Sequence, residues 1–297
     1  MNSGNRLSLA IIIASAGRPR VLAQWRDRLR VQTQAPDATF FVVPSEEDLP
    51  APESRPEHGI VIISPRGLCA QRNCGLERAI DAFDLIAFFD DDYIPSRHTV
   101  ERIVDLFEGR PDLIAASGHL VLDGIGQADL DYDTALAAID AYDAVDPPPV
   151  WVREHAGGLY GCNMVYRARA IGDLRFDERL PLYGWLEDLD FGAGLAGRGV
   201  VAYTNAFAGV HQGSKSGRGS GVRLGYSQVA NPVYLWRKGT LSRGTALKSI
   251  ARNLTMNVAR AAFPEPWIDR AGRLKGNCTA IWQLLRGTLD PGNILQM

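Results

Sequence analysis

Short apolar runs recur along the first third of the chain, each bounded by turn-forming residues. Four of them have the length of a strand: Leu7–Ala14, Thr39–Val43, Ile60–Ile63 and Leu85–Phe89. Such largely apolar runs predict strands; Leu7–Ala14 is expected to be buried, and Leu85–Phe89 to be buried on both faces. A helical stretch at 68–83 separates the last two, and strands joined by helices pair in parallel through right-handed crossovers. The pattern therefore indicates an α/β fold.

The fourth run leads directly into three consecutive carboxylates, Asp90, Asp91 and Asp92. Carboxylates this close repel one another, and burying them is costly unless cations or metal ions compensate their charge. Ligands of open α/β sheets bind outside the carboxyl ends of the strands, which is where this triplet falls. A divalent cation that bridges a phosphorylated ligand is the expected partner. The alternative interpretation is an acidic turn with a solvated face.

The pattern changes in the second half of the chain. Leu113–Val121 and Val200–Thr204 predict two further strands, whereas the acidic, alanine-rich segment 123–149 predicts a loop or a loose helix that could serve as a lid. Two sets of apolar residues near the end follow helical spacing. They are Leu247, Ile250, Leu254 and Val258, then Leu274, Cys278, Ile281 and Leu285. We expect two helices that pack on the domain, on a second subunit or on a membrane surface.

Composition narrows the class of protein. An apolar fraction of 46% and a charged fraction of 22% in 297 residues are those of an ordinary globular protein. The four cysteines show no CxxC spacing, which argues against a zinc site or a disulfide framework. We find neither the pattern of a signal peptide nor an apolar run that could span a bilayer, so we expect a cytoplasmic protein.

Charge is distributed unevenly. From Gln212 to Met297 the chain has thirteen Lys or Arg residues against three acids, although its overall net charge is only -2. The tail is therefore expected to meet something anionic or to pack on the acidic part of the protein. Anionic lipid head groups or a lipid-linked phosphate fit this charge best. No nucleic-acid partner is expected, because no recognised motif accompanies the basic residues.

Two further sets of residues carry candidate chemistry. Acids at Glu187, Asp188 and Asp190 lie among aromatic residues, a setting that is typical of sugar sites, although acids are also favoured in any first helical turn. His211 ends an apolar segment and opens a basic Gly/Ser-rich loop at 212–221. A lone histidine is often structural, but a metal at the acidic triplet would need a further ligand. The loop is expected to fold over a phosphorylated ligand.

Five motifs in order resemble the family-2 glycosyltransferases, inverting enzymes with the GT-A fold. The match runs from about residue 7 to 211 and has one departure, since Pro44-Ser45-Glu46 stands where the family usually has a base-contacting Asp. The short acidic motif alone is weakly specific, whereas the ordered set is specific. The motifs are Ser15 with Arg18-Pro19, Arg72-Asn73, Asp90-Asp91-Asp92, Gly161-Cys162-Asn163, and Phe176-Asp177-Glu178 leading to Glu187-Asp188.

The resemblance implies a Rossmann-like GT-A architecture of the α/β class: a mixed, mostly parallel sheet flanked by helices, with a C-terminal helical extension. Residues 1–222 would form the glycosyltransferase domain, with a nucleotide-sugar half at about 1–122 and an acceptor half at about 151–222. Residues 223–297 would form a basic amphipathic helical tail.

The resemblance also implies roles for individual residues. Asp188 would be the general base and Glu187 would position the acceptor. Asp92 and His211 would bind Mn²⁺ or Mg²⁺, which acts as a Lewis acid on the leaving diphosphate. Asn163 and Trp185 would contact the acceptor. The nucleotide sugar would be bound by Ser15, Arg18, Ser45, Arg72, Asp90 and Asp91.

The function implied is inverting transfer of a sugar from a nucleoside-diphosphate sugar to a hydroxyl of a glycan or lipid-linked acceptor in bacterial surface polysaccharide assembly. The enzyme would be cytoplasmic or peripheral on the inner face of the plasma membrane, with a homodimer as an option. A nucleotidyltransferase is one alternative, but it would have a better Gly-rich basic loop than 15–19. A non-catalytic sugar-binding relic is the other, and it would be expected to lose the Glu187-Asp188 pair.

Overall fold

The computed structural model describes residues 6–126, 128, 130–146, 148–154, 158–215 and 220–297. In that part, the strands are β1 (Leu9–Ala14), β2 (Ala38–Val43), β3 (Gly59–Ile63), β4 (Leu85–Asp90), β5 (Tyr93–Pro95), β6 (Leu113–Asp123), β7 (Val152–Glu154), β8 (Asn163–Arg167) and β9 (Val200–His211). The helices are α1 (Pro19–Ala23), α2 (Trp25–Arg30), α3 (Leu68–Ala79), α4 (Thr99–Gly109), α5 (Tyr132–Asp143), α6 (Ala168–Ile171), α7 (Glu187–Ala193), α8 (Gly221–Lys238), α9 (Arg243–Ala259) and α10 (Arg270–Leu285).

The described residues form two compact units. The first falls within Met1–Arg66, Ala70–Arg175 and Leu195–Ser216, and the second within Gly67–Cys69, Phe176–Gly194 and Gly217–Met297. The predicted domain boundary at residue 222 and the division into two halves remain predictions.

The first unit contains one mixed sheet. Its strand order is β3-β2-β1-β4-β8-β6-β9-β5, and β7 also pairs with β9. The first four of these strands are parallel, β8 runs antiparallel to both neighbours, and β6 and β9 are parallel. Helices flank this sheet, and helices end the chain, so the predicted α/β architecture with a C-terminal helical extension is confirmed.

The core of the first unit explains why the apolar runs form strands. Leu9, Ile11 and Ile13 of β1 lie in one buried cluster with Trp25 of α2 and Phe107 of α4. Alternate residues of a strand point to the same face, so these three side chains form the face of β1 that packs against α2 and α4. The register then places the carboxyl ends of β1 and β4 together, with Ala14 beside Asp90.

Two segments are more regular than the sequence predicts. The segment 123–149 contains a regular helix, α5, whose first turn is capped by the Asp131 carboxylate accepting a hydrogen bond from the Thr134 N–H. Alanine favours helix, and Ala135 and Ile139 are buried one turn apart, which fixes the helix on the sheet. Pro147 of the proline run lies outside the described residues. The last long strand, β9, continues to His211 instead of ending at Thr204.

The second unit contains α7 and the helices α8, α9 and α10. Gly225 of α8 and Gly276 of α10 let these two helices approach closely, because a Cβ on either would lie 2.0 Å from a backbone oxygen of the other helix. Buried amides link the three helices: the Asn257 side-chain nitrogen donates to Gln228 at 3.0 Å and to Asn277 at 2.8 Å. Helix α8 was not predicted, since Pro232 interrupts its sequence pattern.

Candidate functional site

The acidic cluster, defined as Asp90, Asp91 and Asp92, lies where β4 ends and the chain turns into β5. All three carboxylates belong to the first unit, and each has cationic or hydrogen-bonding partners from segments distant in sequence. The parallel register brings the loop after β1 to the same sheet edge. The structure therefore places the triplet at the carboxyl ends of the strands, as the sequence predicts.

The Asp91 side chain points into the interior of the first unit. Its carboxylate accepts hydrogen bonds from the Ser15 hydroxyl and from the Arg18 guanidinium, both at 2.7 Å, and the side chain is only 5% exposed. Burial raises the pKa of Asp91 to about 6, against the opposing effect of Arg18. The arrangement anchors Ser15 and Arg18 at the sheet edge. Direct contact between Asp91 and a nucleotide remains a prediction.

Asp90 lies beside Arg72, the arginine of the predicted Arg-Asn pair. The guanidinium donates to the Asp90 carboxylate at 3.0 Å and to the Gly161 carbonyl at 2.9 Å. Arg72 is almost completely buried, whereas the Asp90 side chain is 30% exposed. This ion pair therefore leaves part of the Asp90 carboxylate accessible from outside.

Asp92 is balanced by partners at the end of β9 and just after it. The Ser214 N–H donates to one of its oxygens at 2.6 Å, and the other lies 3.4 Å from His211 Nε2. Burial by itself would raise the pKa of Asp92, but the hydrogen bond and charge of His211, together with Arg18, outweigh it and lower the pKa to about 2. Asp92 is therefore an ionised, buried carboxylate.

His211 is held from behind by Asp123, its cross-strand neighbour on β6. Its Nδ1 lies 2.9 Å from the Asp123 carboxylate, which also accepts a hydrogen bond from the Tyr160 hydroxyl at 3.1 Å. Burial would lower the pKa of His211, but the hydrogen bonds to Asp123 and Asp92 raise it to about 10. Sequence reasoning missed Asp123, and its place at the end of a strand is the signal that could have found it.

Three of these side chains could hold a metal ion. One ligand atom each from Asp90, Asp92 and His211 lie within 4.8 Å of one another. Histidines that bind metals usually give their second ring nitrogen to a carboxylate, which fixes the orientation of the ring. Asp123 provides that carboxylate here, so the donor set fits a divalent cation. Asp90, one of the residues predicted to bind the nucleotide sugar, is also a candidate metal ligand.

Ser45, predicted to contact the nucleotide, is tied to a carboxylate that the sequence analysis did not single out. Its hydroxyl donates to Asp48 at 2.9 Å, and the Gly17 N–H donates to the same carboxylate. Asp48 is buried, and Arg66 lies 3.7 Å from it. The loops after β1 and β2 are therefore linked by Asp48, close in sequence to the position where the family has its base-contacting Asp.

Asn163 is completely buried on β8, where its side-chain nitrogen donates to the Gly118 carbonyl at 3.2 Å. The structure thus gives Asn163 a place inside the first unit. Its predicted role toward the acceptor remains a prediction.

The second unit carries Glu187 and Asp188 on the first turn of α7. Two non-glycine residues just before them have left-handed backbone conformations, Leu182 with φ 58° and Leu186 with φ 73°. Such conformations cost energy and persist at functional sites when the surrounding structure enforces them. Glu187 is buried and Asp188 is partly exposed. The strain supports a functional hypothesis for this turn.

The same turn is fixed by aromatic and polar contacts within the second unit. Trp185 stacks with Tyr183 at a ring-centroid distance of 6.4 Å, and its backbone carbonyl accepts a hydrogen bond from the Asn231 side chain at 2.9 Å. Asp190 accepts from Lys238 at 2.7 Å and from the Thr240 hydroxyl at 2.6 Å. Asp190 is therefore structural, whereas the roles of Asp188, Glu187 and Trp185 remain predictions.

Comparison with known proteins agrees with the motifs. The sequence model of glycosyl transferase family 2 matches residues 49–175. The fold resembles the mannosyltransferase PcManGT from Pyrobaculum calidifontis, solved in complex with GDP-Man and Mn²⁺, with a TM-score of 0.52 and 14% identity over 98% of this chain and 85% of that chain. S. aureus TarS gives a TM-score of 0.46 and 11% identity over 76% of this chain and 40% of that chain. No match was found among curated proteins. The chain therefore has the GT-A fold, and its residues 49–175 match the glycosyl transferase family 2 model, in agreement with the family that its motifs resemble.

Proposed function

We propose that the protein is an inverting, metal-dependent glycosyltransferase that moves a sugar from a nucleoside-diphosphate sugar to a hydroxyl of its acceptor. The observation that carries this proposal is the convergence of Asp90, Asp92 and His211 around a space that a divalent cation fits. A bound Mn²⁺ or Mg²⁺ would supply Lewis-acid stabilisation of the leaving diphosphate.

The chain's own residues would complete the donor site. Arg18 is held by Asp91 and lies 3.7 Å from Asp92, so its guanidinium is already oriented at the sheet edge. Arg72 is fixed by Asp90 and Gly161. Both arginines add positive charge where a diphosphate would bind, and preoriented charges of this kind stabilise a transition state without further reorganisation.

Asp188 would act as the general base. It would remove the proton of the acceptor hydroxyl while the oxygen attacks the anomeric carbon from the side opposite to the leaving diphosphate. A single displacement of this kind inverts the anomeric configuration. Glu187 and Trp185 would position the acceptor. The strained backbone at Leu182 and Leu186 supports a functional role for this turn.

We further propose that the acceptor is a lipid-linked glycan of bacterial surface polysaccharide assembly, and that the enzyme works at the inner face of the plasma membrane. The excess of basic residues after Gln212 supports this assignment. The complex of PcManGT with GDP-Man and Mn²⁺ makes that donor and that ion the first to test. A homodimer remains a prediction.

The test is release of nucleoside diphosphate from a panel of nucleotide sugars, with Mn²⁺, with Mg²⁺ and with a chelator. We expect release with one donor, dependent on the ion, and a product whose anomeric configuration by NMR is opposite to that of the donor. Release of pyrophosphate from a nucleoside triphosphate and a sugar phosphate would instead identify a nucleotidyltransferase. Donor binding without release would identify a sugar-binding relic.

A further inference from the structure

Helix α9 presents an apolar stripe to solvent. Leu247 and Val258 are 57% and 56% exposed, and Ala251 and Leu254 lie between them at spacings of four and three residues. This spacing aligns side chains along one face of a helix. A different face of α9, which includes the buried Ala246, packs against the other helices of the second unit. The stripe therefore is not explained by the core of the second unit.

Basic residues lie beside the stripe. Lys248 and Arg252 are exposed one turn apart on α9, and the sequence of this helix contains no acid. Neither residue takes part in an ion pair with the described part of the chain. The stripe is thus bordered by positive charge alone.

The three acids of the tail do not offset this charge, because each is already engaged. Glu265 accepts from the Arg270 guanidinium at 2.8 Å. Asp269 caps α10 by accepting from the Gly272 N–H, and Asp290 pairs with Arg179 at 2.9 Å. An anionic partner would therefore meet uncompensated bases beside an apolar surface.

The segment after α9 adds exposed aromatic side chains. Phe263 is 83% exposed and Trp267 is 39% exposed. Aromatic side chains are enriched at the boundary between the hydrocarbon of a bilayer and water. The ring enters the apolar layer there, while the polar groups around it remain hydrated. Large apolar residues in this number on one short stretch indicate an interaction surface.

A lipid bilayer fits this surface better than a second copy of the chain. A two-fold interface brings the same patch of both copies together, so the basic border of one copy would meet a patch on the other copy whose helix contains no acid to compensate it. Anionic head groups would attract these residues, while the stripe enters the acyl boundary. No described helix is long and apolar enough to cross a membrane, and a helix that lies in the interface plane does not need to be.

We infer that α9 and the turn after it form a lipid-docking surface that binds anionic bilayers. The surface consists of Leu247, Ala251, Leu254, Val258 and Phe263, with Lys248 and Arg252 at its border. The inference rests on the proposed function only for the identity of the lipid-linked acceptor. Binding of the protein to lipid can be measured independently of sugar transfer.

The test is co-sedimentation of the full chain with vesicles of phosphatidylcholine, alone or mixed with phosphatidylglycerol. We expect binding to the anionic vesicles that falls with added salt. Replacing Lys248 and Arg252 by Gln should weaken it about 25-fold, since a basic residue near an anionic surface contributes about fivefold. The double variant Leu247→Ser, Val258→Ser should weaken it at least about tenfold.

Matched controls separate this surface from general charge and hydrophobicity. Val145→Ser removes an apolar side chain that is 63% exposed in the first unit, and Arg78→Gln removes an exposed base of α3. Both should bind vesicles like the wild type, and melting curves should show that all variants fold. The inference would be overturned if the wild type does not co-sediment with anionic vesicles, or if the surface variants bind these vesicles as strongly as the wild type does.

Two further outcomes keep this inference distinct from the proposed function. A dimer in light scattering that the Leu247→Ser, Val258→Ser variant dissociates, without vesicle binding, would assign the surface to a second copy and overturn docking on lipid. Nucleoside diphosphate release in the absence of vesicles should be equal in wild type and surface variants. If release fails in all of them while vesicle binding behaves as expected, the proposed function is wrong and the docking surface stands.

Discussion

The acidic cluster at the end of β4 and the acidic first turn of α7 contain the same residue types, but their surroundings differ. In the acidic cluster, arginines, a histidine and a backbone N–H balance carboxylates that are largely buried. On α7, Lys238 and Thr240 hold Asp190, while Asp188 stays partly exposed after a strained turn. The first region is organised around charge balance, and the second around backbone conformation.

This difference separates two chemical tasks. A cation site needs several ionised carboxylates close together, which is tolerable only with compensating partners. A general base needs a single carboxylate with access to a proton, held in a fixed direction. Substitutions confined to one region should therefore impair one of these tasks and leave the other intact.

Asp188→Asn should lower the turnover number by about 10²–10⁴-fold, because the amide cannot accept the proton of the acceptor hydroxyl. Donor binding, measured by calorimetry with the nucleotide sugar, should stay near the wild-type value. A turnover number close to that of the wild type would show that another group is the base.

The control for this variant is Glu187→Gln on the same turn. As a residue that positions the acceptor, Glu187 should affect the Michaelis constant of the acceptor more than the turnover number. If both variants lose turnover equally and also melt at lower temperature, the turn has a structural role only.

Asp123→Asn should weaken Mn²⁺ binding by about 10–100-fold, the usual effect of removing the partner of a metal-binding histidine. Asp123 holds Nδ1 of His211 at 2.9 Å and so directs Nε2 toward Asp92. Tyr160→Phe is the control, because it removes a hydroxyl from Asp123 but keeps the carboxylate on the histidine. Equal Mn²⁺ affinity in wild type and Asp123→Asn, measured by titration calorimetry, would contradict this orienting role.

Lys238→Met should lower the free energy of unfolding by about 1–3 kcal/mol near neutral pH, since it leaves Asp177 and Asp190 without their shared cation. Burial opposes ionisation of Asp177, but hydrogen bonds from Lys238 and Tyr234 lower its pKa below the ordinary 3.8. The interactions that lower this pKa therefore stabilise the folded protein at pH values above 3.8. This stabilisation is lost as the pH falls through the lowered pKa of Asp177.

The pKa of Lys238 is raised above its ordinary 10.5: burial opposes this shift, and the hydrogen bonds to Asp177 and Asp190 outweigh burial. The contribution of Lys238 to the free energy of unfolding is therefore fully present below pH 10.5. It is lost as the pH rises through the raised pKa of Lys238. The destabilisation by Lys238→Met, measured by urea unfolding, should be greatest between pH 3.8 and pH 10.5 and should shrink as the pH falls below or rises above this range. A difference that does not change with pH would mean that packing, not charge, accounts for it.

Local pattern predicts the strands of the first unit well, because β1, β2 and β4 are buried runs whose apolar character is continuous in sequence. Local pattern fails where contacts between segments distant in sequence determine where a helix or strand begins and ends. Helix α8 includes Pro232, which is buried with its neighbours Asn231 and Val233, so the helix continues through a residue that the sequence pattern would place at a break. Strand β9 extends to His211 because β5 and β6 pair with its second half, which the sequence of β9 itself does not show.

The candidate site shows the same limit. The acidic cluster is visible in the sequence as three consecutive aspartates, and the place of His211 at the end of an apolar segment, together with the family resemblance, marks it as a candidate ligand. The partners that balance these charges were not visible, since Asp123 is 88 residues from His211 and Ser214 is 122 residues from Asp92. The register of β6 and β9 places Asp123 beside His211, and the pairing of β5 with β9 brings Ser214 to Asp92.

The central claim is that the acidic cluster holds a divalent cation against a nucleoside diphosphate. Electron paramagnetic resonance of Mn²⁺ with the purified chain, in the presence of GDP or of UDP, tests it most directly when wild type is compared with Asp92→Ala. The account predicts that the wild type binds a single ion whose signal changes with one of the nucleotides, and that Asp92→Ala loses it while remaining folded. Unchanged Mn²⁺ binding in folded Asp92→Ala would contradict the account.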